Sequence, residues 1–186
     1  MAGRVLRTDV DYVFKNLKDA SEDMVTEITQ AASVCIMTSR GKDLHHSGHL
    51  RECLDAFIRR PTGEQPLIRV LLPEPGSAWT QDRQEEGESH DAVFPPGQLA
   101  RDIEATVAYV CAMESKSKAE LRVANMPHMC RIVLTDRCVY FTMYRSDLPG
   151  SKTRIAKYFA HADTYRWLKR LFEQYWSIGR RPCPQR

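Results

Sequence analysis

The chain lacks any uninterrupted apolar run near the roughly 18 residues that a membrane-crossing helix needs. Its opening, Met1 to Phe14, turns polar too early for a secretory leader, so a cytoplasmic protein is expected. No CxxC pair occurs among Cys35, Cys53, Cys111, Cys130, Cys138 and Cys183. That argues against a zinc site, and with no export signal it argues against a disulfide framework. There is no Gly-x-Ser-x-Gly elbow and no internal repeat. A large excess of one charge is absent too: the net charge is +3.

What is present is apolar content for a core. Hydrophobic residues make up 42% of 186 residues, which fits one domain of ordinary size. Charge is segregated along the chain. Glu74 to Asp91 holds six acidic residues and one basic, whereas Ser151 to Arg186 holds nine basic and two acidic. The plain reading is a solvated helix face plus a mobile tail.

Apolar spacing over Thr8 to Ala32 predicts a helix, with a break near Ser21 to Asp23. Val34 to Thr38 and Leu67 to Leu72 read as buried strands. A helix from Ser47, as N-cap, to about Arg59 lies between them, which makes a β-α-β unit with a parallel pair. Pro73 to Gly97 holds four prolines and three glycines and reads as a long acidic loop. Gln98 to Ser117 is helical by its stripe of Leu99, Ile103, Val107 and Val110, and Glu120 to Asn125 is a strand. Arg131 to Thr135 and Cys138 to Tyr144 flank Asp136-Arg137 as a hairpin. A last helix starts near His161 or Asp163, with Gly179 as its C′ residue. The expected fold is α/β, a mixed and mainly parallel sheet flanked by helices. The domain covers residues 1–179, and a flexible basic tail follows over 180–186.

This order, carried by Val34 to Gly41 with Ile68 to Pro73, by Arg131 to Thr142, and by Phe159 to Trp176, resembles a phospholipase-D-like half-domain. The likeness is to small, degenerate bacterial members, often attached to helix-turn-helix regulators. Such domains carry HxKxxxxD, in which the His attacks a phosphodiester, the Lys clamps phosphate oxygens and the Asp orients the site. Setting Asp136 at the Asp puts Arg131 at the Lys and Met129 at the His. A thioether is not that nucleophile. His128 is one residue away, on the opposite face of a strand, and a bulge after Pro127 would be needed to bring it round.

The resemblance therefore implies a non-catalytic or divergent module for a phosphate-containing anion, a nucleotide or nucleic acid, in a regulatory or defence setting. One alternative is a phosphodiesterase in which two chains build the site around His128. Another is an oligomeric interaction protein. A homodimer or a related half-domain is the implied partner, and no cofactor is implied.

Arg131 and Asp136 are the nominated ligand residues; their plain readings are a strand cation and a turn former. Arg40 and Lys42 follow the first parallel strand, where ligands gather in open α/β sheets. His45 with His49 has helical i, i+4 spacing but no further ligand nearby, so a pocket role is favoured over metal. Tyr144 ends the hairpin beside them. Ser39, His161 and Asp163 have no triad spacing. The aromatics Tyr158, Phe159, Tyr165, Trp167, Phe172, Tyr175 and Trp176 read as core and interface rather than as a base-stacking set.

Overall fold

Among the described residues a strand comes first, where a helix is expected. The computed structural model describes residues 9–46, 49–61, 64, 67–89, 95–114, 117–145, 148 and 150–183. Strand β1 (Tyr12–Phe14) comes first, and helix α1 (Leu17–Gln30) starts only after Asn16. The Asn16 side chain accepts from Asp19 N at 3.1 Å and caps the helix. The expected cap Ser47 and its neighbour Gly48 lie outside the described residues.

The β-α-β unit forms as the apolar runs predict. β2 (Ser33–Met37), β3 (Leu67–Pro73) and β4 (Ala119–Ala124) are parallel, with Val34 opposite Ile68 and Ile68 opposite Ala119. Between β2 and β3 run α2 (Lys42–His45) and α3 (His49–Ile58). The hairpin β5 (Cys130–Thr135) and β6 (Cys138–Met143) adds to β2 antiparallel. β7 (Ile155–Phe159) then pairs with β6, and β1 with β7, both antiparallel. The sheet order is β1-β7-β6-β5-β2-β3-β4.

The sheet is mixed and flanked by helices, as expected, but two of its six pairings are parallel and four antiparallel. The hairpin continues into β7 and recruits β1, so the antiparallel part outgrows the parallel one.

Strand alternation sorts the core into two layers. Val34, Ile36, Val70, Leu72 and Val133 face α1, α3 and α5 (Gln98–Glu114). Cys35, Met37, Leu71, Ile132 and Leu134 face α6 (Asp163–Ile178), which buries Tyr165, Leu168, Phe172 and Trp176. Those four recur at helical spacing, the signal that made this helix legible. Asp9 supplies the cap that Ala162 cannot, accepting from Thr164 N at 2.7 Å.

Where an acidic loop is expected, the described residues hold the end of a strand and a helix. β3 runs through Pro73, and α4 (Ala78–Ser89) follows at once. α4 has no apolar stripe, so periodicity misses it. It is held instead by Ser77, whose Oγ accepts from Thr80 N at 3.3 Å, and by Gln84, which accepts from Leu99 N at 2.7 Å.

The chain after α6 is docked as far as Cys183, where a loose tail is expected. Arg180 exchanges two backbone hydrogen bonds of 2.9 Å with Val123 at the β4 edge, and Cys183 forms a disulfide with Cys111 of α5. Gly179 is not left-handed; its φ is −70°. A Cβ there would sit 3.0 Å from Arg122 Cβ, so close approach to β4 is what favours glycine.

Candidate functional site

The carboxyl ends of β2 and β6 meet the amino end of β5, and polar side chains converge at that corner. Beyond β2, Gly41 has φ +67°, and a Cβ at this position would collide with Thr106. This left-handed residue turns the chain into α2 and presents Lys42 and Asp43 beside the strand ends. Arg131, second in β5, shares its face with Val133 on the α5 side of the sheet.

The Arg131 side chain is 12% exposed and ion-paired to Asp43 at 2.8 Å. Burial opposes its charge, but Tyr144 and Asp43 outweigh it and the net shift of its pKa is upward. The guanidinium is a desolvated, permanent cation. Tyr144 is the hub. Its hydroxyl lies 3.2 Å from Thr38 Oγ1, takes a 3.4 Å contact from Ser39 N, and hydrogen-bonds Arg131.

His128 enters from the other side of the corner. Its Nδ1 lies 2.5 Å from Ser39 Oγ and its Nε2 2.9 Å from Thr80 Oγ1. The single Thr80 hydroxyl proton goes to Glu74 O at 2.8 Å. His128 must then donate from Nε2 to Thr80 and accept from Ser39 at Nδ1, which fixes the neutral tautomer. Burial, with help from the Arg83 charge, lowers its pKa to about 4. Both ring nitrogens are committed. The Met129 backbone continues the hairpin ladder, its O accepting from Tyr144 N at 2.8 Å, while its side chain is 45% exposed.

The expected residues are thus only partly brought together. Arg131, Tyr144 and His128 converge through Tyr144 and Ser39. Lys42 is exposed on the adjoining turn, next in sequence to Asp43. Arg40 reaches away from the corner: its Nε donates to Asp102 Oδ2 at 2.8 Å, and Thr106 Oγ1 donates to its carbonyl at 2.8 Å. Burial alone raises the Asp102 pKa, but hydrogen bonds from Arg40 and Gln98 outweigh it, so the carboxylate stays ionised. His45 is half-buried, with its pKa lowered chiefly by burial and its Nδ1 without a partner among the described residues. Asp136 is not at the corner. It accepts from Ala32 N at 2.9 Å, at the far end of β5, about 17 Å from Arg131 by strand rise.

Three contributors escaped the sequence reading. Thr80 and Arg83 lie on α4, whose composition predicts a loop, and Arg83 donates to Arg145 O at 3.2 Å. Asp43 directly follows Lys42 and carries no sequence signal of its own. No sequence spacing announces the Ser39–His128 contact, because 89 residues separate the pair.

Two surface depressions lie elsewhere, along the outer side of α6. Among the described residues, no cluster of three or more His, Cys, Asp or Glu side chains is placed to hold a metal ion. No described helix is long and apolar enough to cross a membrane.

No protein family's sequence profile matches the chain, and no curated protein matches it. Solved structures do. TrmBL2, an archaeal chromatin protein whose structure shows a novel mode of DNA binding, matches with a TM-score of 0.53 and 13% identity. That match covers 96% of this chain and 56% of the other, so this chain spans little more than half of that protein. Nuc from Salmonella typhimurium, a phospholipase D family member, matches with a TM-score of 0.51 and 10% identity over 89% of this chain and 92% of its own. NucT from Helicobacter pylori matches with a TM-score of 0.51 and 10% identity, over 91% and 97%. At these identities the likeness is one of fold: a mixed α/β sheet flanked by helices.

Proposed function

We propose that the chain is a phospholipase-D-like module that binds a phosphate-containing anion, a nucleotide or nucleic acid, at the Arg131 corner, without phosphohistidine chemistry. One observation carries the reading. Arg131 is a desolvated cation on the strand end, held by Tyr144 and by a carboxylate, Asp43, that is 41% exposed and within reach of displacement by a phosphate. Lys42, exposed beside Asp43, adds positive potential nearby. The fold shared with Nuc and with the DNA-binding TrmBL2 agrees with a phosphodiester or nucleic-acid ligand. A regulatory or defence setting and a homodimer belong to the same proposal and rest on the family resemblance.

The commitments of the side chains support the absence of phosphohistidine chemistry. Met129 stands where the nucleophile is expected, and His128 has no free ring nitrogen. Melting of the protein with and without inorganic phosphate or a 5′-phosphorylated oligonucleotide tests binding. A rise in wild type that vanishes in Arg131→Ala supports the reading; no rise with any phosphorylated ligand overturns it. Hydrolysis of bis-p-nitrophenyl phosphate above background, lost in His128→Ala, would establish the enzyme instead.

A further inference from the structure

The outer face of α6 carries an arrangement that neither the core nor the Arg131 corner uses. Trp167 is 51% exposed, although Tyr165, Phe172 and Trp176 on the same helix are buried. Leaving half an indole in water forgoes burial that a purely structural helix would take. Two shallow depressions lie side by side next to it. One is lined by Asp163, Thr164, Arg166, Trp167 and Arg170, the other by Arg166, Lys169, Arg170, Glu173 and Gln174. Arg166 and Arg170 form the ridge between them, one helical turn apart.

The charges on this face do not cancel. Glu173 is neutralised from beneath by Arg69, which reaches from β3 with bonds of 2.9 and 2.6 Å. Asp163 pairs with Arg166. Lys169 and Arg170 have no acidic partner within salt-bridge distance among the described residues, and both are exposed. The result is a flat aromatic surface flanked by two uncompensated cations and an anchored third.

We propose that this face binds single-stranded nucleic acid, with Trp167 stacking on a base and Arg170, Lys169 and Arg166 holding phosphates. The inference extends the phosphate-ligand reading to a second surface and rests on different residues. An indole face accepts any base, and guanidinium forks match phosphate oxygens. A duplex hides its base faces, so stacking on Trp167 would require unstacking it. A lipid surface fits poorly, because the apolar stripe of α6 is already spent on the sheet.

The test is fluorescence anisotropy of the full chain with a short labelled oligodeoxythymidylate. Wild type should bind it more tightly than a duplex of equal length. Trp167→Ala should weaken binding roughly tenfold or more, and Trp167→Phe should restore most of it. Lys169→Glu with Arg170→Glu should abolish binding. Lys169→Ala should lower the salt slope by about 0.7. These positions are exposed, so melting should show intact folds, and the melting shift with inorganic phosphate should persist. The proposal is overturned if the α6 variants bind like wild type, if wild type does not bind, or if duplex binds more tightly. Displacement of the oligonucleotide by polyglutamate or anionic phosphatidylserine vesicles at matched charge also overturns it. If Arg131→Ala alone abolishes oligonucleotide binding, the strand lies in the Arg131 corner: this inference falls and the proposed function stands.

Discussion

Two buried cations sit on the sheet, Lys157 on β7 and Arg131 on β5, and both pair with carboxylates. Lys157 is 2% exposed. It bonds Asp23 at 2.8 Å and Glu27 at 3.0 Å, and Asp23 also accepts from Tyr140 OH at 2.5 Å. Burial opposes the Lys157 charge, but the two carboxylates outweigh it and its pKa is raised. The difference lies in a second acid. Asp23 and Asp43 are about equally exposed, at 40% and 41%, but Lys157 also holds Glu27, whose side chain is only 11% exposed, whereas Asp43 is the one carboxylate paired with Arg131 among the described residues. The buried second acid locks a helix to a sheet; a cation with a single, exposed acid is the one that the proposed ligand would reach.

Lys157→Met should break the buried network hardest. Glu27 would keep only the exposed Arg137, 3.3 Å away, at a cost of about 3 kcal/mol in urea unfolding. The next effect separates the two regions by pH. The folded pKa of His128, about 4, lies below its ordinary 6.5. The unfolded chain therefore binds the extra proton within that window. Stability is full above pH 6.5 and falls as pH drops towards 4, by up to roughly 3 kcal/mol. Denaturation across this range should show the slope in wild type and a flatter line in His128→Gln; Lys157 should add no slope there.

Smaller still is Tyr144→Phe. It removes the hydroxyl shared by Thr38, Ser39 and Arg131 and should cost about 1 kcal/mol while weakening the phosphate response. Arg131→Met should change stability least, because water can resolvate Asp43, yet it should abolish the phosphate response. A loss as large as that of Lys157→Met would make Arg131 structural and erase the distinction.

The sequence was most readable where apolar pattern alone decides structure. Val34 to Thr38 and Ile68 to Leu72 gave the parallel pair, Asp136-Arg137 the hairpin turn, and Tyr165, Leu168, Phe172 and Trp176 the last helix. It was silent where a distant partner decides. β7 carries Lys157 at an inward position, which a strand tolerates only because Asp23 and Glu27, more than a hundred residues away, neutralise it. α4 has caps and side-chain bonds but no stripe. Arg131 and Asp136 look like neighbours in the chain, but the strand between them carries them to opposite ends of the sheet.

The Cys111–Cys183 bridge makes a covalent ring of the chain from α5 to the segment beyond α6, across a separation of 72 residues. Everything from β4 through α6 lies inside that ring. An unfolded chain closed this way explores far fewer conformations, and in the chain-entropy account a ring of this size adds roughly 4 kcal/mol to the folded state. The durability of the fold thereby becomes a property of its surroundings, lower wherever thiols are kept reduced.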